Sequence, residues 1–450
     1  MFINSRRDFL RLTCKSVTAL GAIGALSRIG QMNALAAGNP NYKALVCIFL
    51  VGGNDGHNTI VPINTTKQNY PVYSAARQVL ALPQASLLPI NTKTGDVYGL
   101  HPGLPEIQNL YNQNKVALLA NVGSLVAPVT RPQYLAKSVA LPANLFSHSD
   151  QQQQWDTGVP NNLATTGWAG KTADLMQGIN APSTYPMVVT VAQCGLFCSG
   201  QQTNPSTAPP NVTLGLQGFN GQPAKLSAFQ QLLSFDGGLS LVQAGNSVMQ
   251  RGVNDAATLN GALSSAPAMQ TVFPNTSLGN QLKQVAKIVS VRGGLGMTRQ
   301  IFFATLDGFD THGGQLPLQD SLLRQLSQAM GAFYNATVEL GVDQQVTTFT
   351  SSEFGRTLQP SSGGGSDHAW GGHQMVMGGA VQGGDLYGQY PTLAFGGPDD
   401  ANTRGTMIPT TSVEQYGATL ASWFGVSAAN LPSIFPALPN FTVQNLGILG

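Results

Sequence analysis

Residues 43–51 read Lys-Ala-Leu-Val-Cys-Ile-Phe-Leu-Val and are followed at once by Gly52 and Gly53. A continuous apolar run that ends in glycines predicts a β-strand buried on both faces. Strands of this kind belong to parallel sheets that helices cover on both sides, because a sheet with one face in water shows alternating polar residues. The stretch therefore predicts an α/β fold.

Similar short apolar runs recur along the chain, and helical patterns separate them. Further strands are predicted at residues 115–121, 187–191, 300–306 and 346–350, and helices at residues 104–113, 168–176, 282–291, 318–340 and 413–424. This alternation predicts a mostly parallel central sheet with helices on both faces. Residues 200–275 are rich in Gln, Asn, Ser, Gly and Pro, and we interpret them as a helical insertion or lid within a single domain spanning residues 37–450.

The chain begins with the pattern of an export signal. Arg6 and Arg7 precede an apolar stretch at about residues 17–29, and small residues that fit a cleavage box precede Ala37. This is the order of a signal peptide, and the arginine pair specifies the twin-arginine route. A membrane anchor is the alternative, but glycines break the short stretch. We expect residues 1–36 to bring the folded protein, through the twin-arginine translocon, to the periplasm or outside the cell.

Composition and cysteine usage restrict the possible partners. Charged residues make up 9% of the chain and the net charge is +2, so there is no basic stripe for nucleic acid. No second apolar run predicts a membrane span in the mature chain. Cys47 lies in the first predicted strand and is expected to be a buried thiol. Cys194 and Cys198 are either a local disulfide or two free thiols.

Acids and histidines collect in short loops that follow the predicted strands, where ligands bind in α/β sheets. Asp55 follows the first strand and is either a turn residue, because Asn-Asp-Gly is good turn chemistry, or a carboxylate of a site. Asp307, Asp310 and His312 follow a second strand. Carboxylates and an imidazole at this spacing favour a divalent metal site over a capped turn.

Two later loops carry further candidates. Glu353 is a possible metal ligand and Arg356 a possible bidentate partner of an anionic group, unless the two form a surface salt bridge. A glycine-rich loop carries Asp367, His368 and His373. Metal ligation is favoured for its histidines, because a structural role is unusual in so flexible a stretch.

Ser147 and His148 place a hydroxyl beside an imidazole. A metal or base next to the hydroxyl would make it a nucleophile. The alternative is a helix N-cap in front of a Gln-rich run. A serine hydrolase is disfavoured, because no Gly-x-Ser-x-Gly motif surrounds Ser147.

Together the motifs resemble the DUF1501 family of exported bacterial proteins. The resemblance rests on Gly52-Gly53-Asn54-Asp55-Gly56, Ser147-His148, Asp307 to Gly314, Ser352 to Thr357 and Asp367 to His373, in the same order, and it runs from about Tyr42 to the C-terminus. It implies the fold of the alkaline phosphatase and sulfatase superfamily. That superfamily usually binds two divalent metals beyond its strand ends, and a Ser, Thr or modified Cys attacks phosphorus or sulfur.

The resemblance also implies a role for each candidate. Asp55 would match the first-strand metal ligand. Asp307 or Asp310 would form an Asp-His metal pair with His312, Glu353 would stand at the position of a later Asp-His pair, and His368 or His373 would match the late histidine. Ser147 would match the nucleophile. Two features depart from the superfamily. Phe354 stands where the histidine of the later pair is expected, and no Cys/Ser-x-Pro-x-Arg pattern occurs, which counts against a formylglycine sulfatase.

The sequence therefore predicts a metal-dependent hydrolase of small or polymeric phosphate or sulfate esters. One or two ions of zinc, manganese or calcium would polarise the ester and activate Ser147 or a water, with His148 and Arg356 as further catalytic residues. The alternative is a non-catalytic binding or assembly protein on the same scaffold. Its metal would be structural, and its many Asn, Gln and Gly residues would suit sugars or surface polymers.

Overall fold

The structure is a computed structural model that describes residues 41–161, 164–219, 222–235 and 237–450; the predicted export signal lies outside these residues. The strands are β1 (Lys43–Val51), β2 (Ile60–Asn64), β3 (Leu88–Asn91), β4 (Val97–Leu100), β5 (Val116–Gly123), β6 (Val188–Thr190), β7 (Ser206–Thr207), β8 (Arg299–Asp307), β9 (Val346–Ser351), β10 (Gly372–Met377), β11 (Asp385–Gly388) and β12 (Thr411–Ser412). The α-helices are α1 (Gly56–Thr59), α2 (Tyr70–Arg77), α3 (Pro105–Asn112), α4 (Arg131–Ala136), α5 (His148–Thr157), α6 (Trp168–Leu175), α7 (Pro223–Leu233), α8 (Ser240–Leu263), α9 (Ser277–Ser290), α10 (Gln315–Glu339), α11 (Val413–Phe424) and α12 (Leu431–Ile434). Single 3₁₀ turns lie at Gln78–Leu80, Gln84–Ser86, Asp343–Gln345 and Leu438–Asn440.

A large mixed sheet forms the centre of the molecule. Its strand order is β11-β5-β10-β9-β1-β8-β6-β7, and β12 also pairs with β5. Only β10 runs antiparallel to its neighbours β5 and β9, and the other described pairs of this sheet are parallel. A small separate sheet has the order β2-β4-β3. The predicted α/β fold with a mostly parallel sheet is therefore confirmed.

Side chains of β1 alternate between two cores, as the period of a strand requires. Val46 and Ile48 enter the core that also contains residues of α3, α9 and α10. Cys47 and Phe49 enter the opposite core, together with residues of α6 and α11. Helices thus cover both faces of the sheet, which explains why the first strand reads as a continuous apolar run.

The segment predicted to be a helical insertion contains α7 and α8, and it has few buried side chains. In α8 the buried residue is Leu259. The extent of the insertion and of the single domain stays a prediction. Cys194 and Cys198 form a disulfide, whereas Cys47 is a buried free thiol.

Within the described ranges, none of the helices has both the length and the apolar character needed to cross a bilayer.

Candidate metal centre

The candidate site lies where three neighbouring parallel strands end. β9, β1 and β8 are adjacent in the sheet and end at Ser351, Val51 and Asp307. Their carboxyl ends therefore meet at one edge, where the following loops converge. Gly52 permits this convergence, because its φ of +116° suits glycine and a Cβ there would strike the backbone of Asp310.

Four of the predicted residues converge at this edge, and we call them the histidine–aspartate cluster: His148, Asp310, His312 and His368. Asp310 Oδ1 lies 3.1 Å from His312 Nε2 and 3.4 Å from His368 Nε2, and its Oδ2 lies 3.5 Å from His148 Nε2. The Nε2 atoms of His312 and His368 are 3.0 Å apart. Three imidazoles from separate parts of the chain therefore present the same ring nitrogen to one carboxylate.

Every Nδ1 atom of the cluster has an oxygen partner on the outer side of the ring. The Nδ1 of His148 lies 2.9 Å from Glu353 Oε1, and that of His312 lies 3.1 Å from Asp367 Oδ1. The Nδ1 of His368 lies 2.9 Å from the carbonyl oxygen of Phe146. A carbonyl oxygen only accepts, so we assign the proton of His368 to Nδ1, which leaves its Nε2 lone pair directed into the cluster. Metal-binding histidines are oriented by partners of this kind.

The Nε2 atoms that face one another in the histidine–aspartate cluster need a cation or a proton between them. Burial, the largest cause, lowers the pKa of His368, which favours its neutral form. If His312 likewise donates Nδ1–H to Asp367, two nitrogen lone pairs face each other at 3.0 Å. The Nε2 of His148 is buried and has no hydrogen-bond partner in the part of the chain that the structure describes. A divalent metal would meet all of these lone pairs, so the donor set fits a metal ion.

Asp310 is held and kept ionised by Arg356, whose side chain is buried. Arg356 Nη2 lies 2.6 Å from Asp310 Oδ1, and the guanidinium also donates to the carbonyl oxygens of Gly52, Gly53, Phe309 and Ser366. Burial alone would raise the pKa of Asp310, but the hydrogen bond and charge of Arg356 outweigh it, and the pKa is lowered. Because every guanidinium nitrogen has a partner, Arg356 ties the loops together rather than facing open space.

Glu353 lies behind His148 and is 1% exposed. Its Oε1 accepts a hydrogen bond from the backbone N–H of Gly52 at 2.8 Å as well as contacting His148. The hydrogen bond between His148 and Glu353 is the largest of the causes that raise the pKa of His148, and partial burial opposes it. The ring of Phe354 stacks on His368 with 4.6 Å between centroids. Glu353 therefore supports a ligand of the cluster, and Phe354 forms an apolar wall beside it.

The structure does not bring Asp55 and His373 to the cluster. Asp55 is buried and ion-paired with Arg77, and it also accepts a hydrogen bond from Gln315. The Nδ1 of His373 accepts the backbone N–H of Asn121 at 3.0 Å, so its proton lies on Nε2. Burial lowers the pKa of His373 to about 3, so this imidazole is neutral. These residues form a second, buried polar group.

Two other predicted residues also point elsewhere. The hydroxyl of Ser147 donates to Asp150 Oδ2 at 2.6 Å, and Ser147 directly precedes α5 in the N-cap position. Asp307 is the exposed last residue of β8, and Asp310 provides the carboxylate of that loop. The roles of Ser147 as nucleophile and of Asp307 as ligand stay predictions.

Sequence reasoning missed the contacts that surround the cluster. Arg404 Nη2 lies 2.6 Å from Asp367 Oδ2, and the side chain of Arg404 is 44% exposed. Arg404 therefore places a solvent-exposed cation next to the acid that contacts His312. Nothing in the local sequence marks Arg404 or the carbonyl of Phe146. The pairing of Arg77 with Asp55 joins residues 22 positions apart and has no sequence signature either.

A family model described as "Protein of unknown function (DUF1501)" matches residues 42–411. The chain belongs to this family, as its motifs predicted. No curated protein matches the sequence.

Several solved structures resemble the chain at low identity. Phosphonate monoester hydrolase SpPMH from Silicibacter pomeroyi has a TM-score of 0.36 and 8% identity, covering 85% of this chain and 73% of its own. The PsFucS1 sulfatase from Pseudoalteromonas sp. has a TM-score of 0.30 and 9% identity, with coverages of 82% and 68%. The C-terminal periplasmic domain of EcEptC from Escherichia coli, in complex with Zn, has a TM-score of 0.33 and 9% identity, with coverages of 76% and 74%.

Proposed function

We propose that the histidine–aspartate cluster binds a divalent metal ion, and that the protein is a metal-dependent hydrolase of phosphate or sulfate esters. The supporting observation is that ring nitrogens of His148 and His368 and a carboxylate oxygen of Asp310 lie within 4.8 Å of one another, with Nε2 of His312 3.1 Å from Asp310, while each Nδ1 has an oxygen partner. Imidazole nitrogen suits zinc and related transition metals, whereas calcium prefers oxygen ligands only. The donor set therefore favours zinc or manganese over calcium.

We propose one ion rather than two. The second buried group contains the carboxylate of Asp55 and the imidazole of His373, but Arg77 already supplies a cation to Asp55. His373 is protonated on the nitrogen that is not bonded to Asn121. The ring of Phe354 contributes no ligand where a further donor was expected. We therefore assign the ion to the histidine–aspartate cluster.

A bound ion would polarise an ester oxygen and lower the pKa of a water molecule. The chain's own groups prepare the site: Arg356 keeps Asp310 ionised, and Glu353 fixes the ring of His148. The exposed guanidinium of Arg404 is suited to attract an anionic ester, because each guanidinium nitrogen of the buried Arg356 already donates to the protein. Since the hydroxyl of Ser147 is engaged by Asp150, we propose water as the attacking group.

Turnover and metal content of the purified full chain test this proposal. Elemental analysis should find about one zinc or manganese per chain, and nitrophenyl phosphate, phosphodiester or sulfate should be hydrolysed. His148→Ala and Asp310→Ala should lose both properties. A metal-free protein, or one whose metal survives both substitutions, would show that the cluster is not a metal centre.

A non-catalytic protein with a structural ion is the second candidate. The observation that favours it is that two predicted catalytic groups, the hydroxyl of Ser147 and the guanidinium of Arg356, are engaged within the protein. A tightly held ion without turnover of any of the three ester classes would support this reading.

We also propose that the chain is exported through the twin-arginine route to the periplasm or beyond. Arg6 and Arg7 carry this proposal. Replacing both with lysine should leave the protein in the cytoplasmic fraction of a bacterial host. Unchanged export of the double variant would exclude the twin-arginine route.

A further inference from the structure

A surface cleft of about 470 Å³ lies at the free edge of the central sheet, away from the histidine–aspartate cluster. One wall is the C-terminal half of α8, and the other is the segment around β7, the last strand in the sheet order. No member of the cluster lines it. Ligand pockets in proteins commonly occupy about 300–1,000 Å³, so the cleft has the size of a small-molecule site.

Polar residues outnumber apolar ones in the lining, which is unusual for a site of this size. The side chains that matter are those of Gln202, Asn204, Thr207, Arg251, Asn254 and Asp255. They offer amide, hydroxyl, guanidinium and carboxylate groups from both walls. Such a surface favours a ligand with many hydrogen-bonding groups over an apolar one.

Asp255 has no partner for its carboxylate among the described residues. Arg251 lies one helical turn before it, but no ion pair within 4.0 Å joins them. By contrast, Asp320 and Arg324 have the same spacing in α10 and pair at 2.8 Å. Burial, the largest cause, raises the pKa of Asp255 to about 6, and Arg251 opposes the shift. The carboxylate is thus partly desolvated without a compensating hydrogen bond.

The charges of the cleft select the class of ligand. A phosphate or sulfate would be repelled by Asp255, and a metal ion would meet Arg251 and a single carboxylate. None of the described residues that line the cleft is aromatic, so a nucleobase would find no stacking partner among them. A neutral ligand whose hydroxyls both donate and accept would satisfy the two charged side chains together.

We propose that this cleft binds a neutral saccharide unit, whose hydroxyls donate to Asp255 and accept from Arg251 and the neighbouring amides. The site is independent of the metal centre. It would hold a free sugar or one unit of a chain at the protein surface.

Saturation-transfer NMR with the full chain tests the cleft, with glucose, galactose, mannose, N-acetylglucosamine, maltose and cellobiose as separate probes. At least one sugar should bind, and calorimetry should give its affinity. Asp255→Ala and Thr207→Val, on opposite walls, should each weaken that affinity about tenfold or more. Asp320→Ala, the matched acid on α10, should leave it unchanged.

Three results would overturn the proposal: no sugar of the panel binds, both cleft variants bind as the parent does, or Asp320→Ala weakens binding equally. Circular dichroism of each variant verifies that it is folded. Because the two substitutions lie on separate walls of the cleft, a local structural defect in one variant would not affect the other. Removal of the metal should not alter the affinity for the sugar. Failure of the saccharide proposal can therefore be distinguished from failure of the proposed hydrolase function.

Discussion

Glu353 Oε1 lies 2.9 Å from Nδ1 of His148, and this carboxylate is almost fully buried. The imidazole begins α5, whereas the acid follows β9, so the contact joins two elements 205 residues apart. A buried carboxylate in this position orients the ring and increases the basicity of its other nitrogen. Glu353 is therefore a positioning residue of the proposed metal centre.

Glu353→Gln should weaken metal binding about 10- to 100-fold, because the amide orients His148 less strongly and adds no charge. Competition with a metal chelator followed by elemental analysis measures the change. Glu414→Gln is a matched control. Glu414 is another buried acid, whose pKa burial raises to about 8, and it has no contact with the cluster. Equal metal affinity of both variants would contradict the role of Glu353.

The fold could be predicted because its signals are local. The strand at residues 43–51 is apolar on both faces since its alternate side chains enter two cores. The helix at residues 413–424 also agrees with the prediction, and nearly all of its residues are buried. Patterns of this kind report burial, and burial decides which residues form elements.

The site could be predicted only in part, because ligand identity depends on where each side chain points. Asp310, His312 and His368 were candidates by residue type and position after strands. Asp55 and His373 have the same chemistry, yet Arg77 pairs with the carboxylate of Asp55 and a backbone amide donates to Nδ1 of His373. Such pairings join distant parts of the chain, and a sequence pattern cannot reveal them.

His368 lies in the histidine–aspartate cluster and His373 lies outside it, so replacing the two histidines singly should have unequal effects. His368→Ala should abolish binding of the ion, because it removes an inward nitrogen of the cluster. His373→Ala should keep the metal content of the parent and lower only stability, since the ring is buried and bonded to Asn121. Elemental analysis and thermal unfolding distinguish the two. Loss of the ion in His373→Ala would place that residue among the ligands.

Arg404 should affect substrate binding more than chemistry. Arg404→Gln removes an exposed cation that contacts Asp367 but leaves the histidine–aspartate cluster intact. The KM for an anionic ester should therefore rise about 5- to 10-fold, whereas kcat and metal content should stay nearly unchanged. Arg324→Gln is the control, because Arg324 is similarly exposed and also pairs with an aspartate. A lower kcat at constant KM would instead indicate that Arg404 acts through Asp367 on the cluster.

Asp156 should make stability depend on pH. It lies in α5, is 3% exposed, and one of its carboxylate oxygens has no hydrogen-bond partner. Burial raises its pKa from 3.8 to about 7, although backbone hydrogen bonds from Phe197 and Leu196 oppose the shift. Between these two values the folded protein holds a proton that the unfolded chain has released. The contribution of Asp156 to stability is therefore lost as pH rises from about 4 to about 7.

Asp156→Asn removes this titration, because the amide stays neutral at every pH. The free energy of unfolding of the variant, relative to the parent, should increase by roughly 2 to 3 kcal/mol between pH 5 and pH 8, at about 1.4 kcal/mol per pKa unit. Urea unfolding at both pH values measures it, and the other buried acids cancel because both proteins contain them. Asp320→Asn serves as the control, because this acid on α10 is partly exposed and pairs with Arg324 near the protein surface. A constant offset between parent and Asp156→Asn would mean that Asp156 is already ionised in the fold at pH 5.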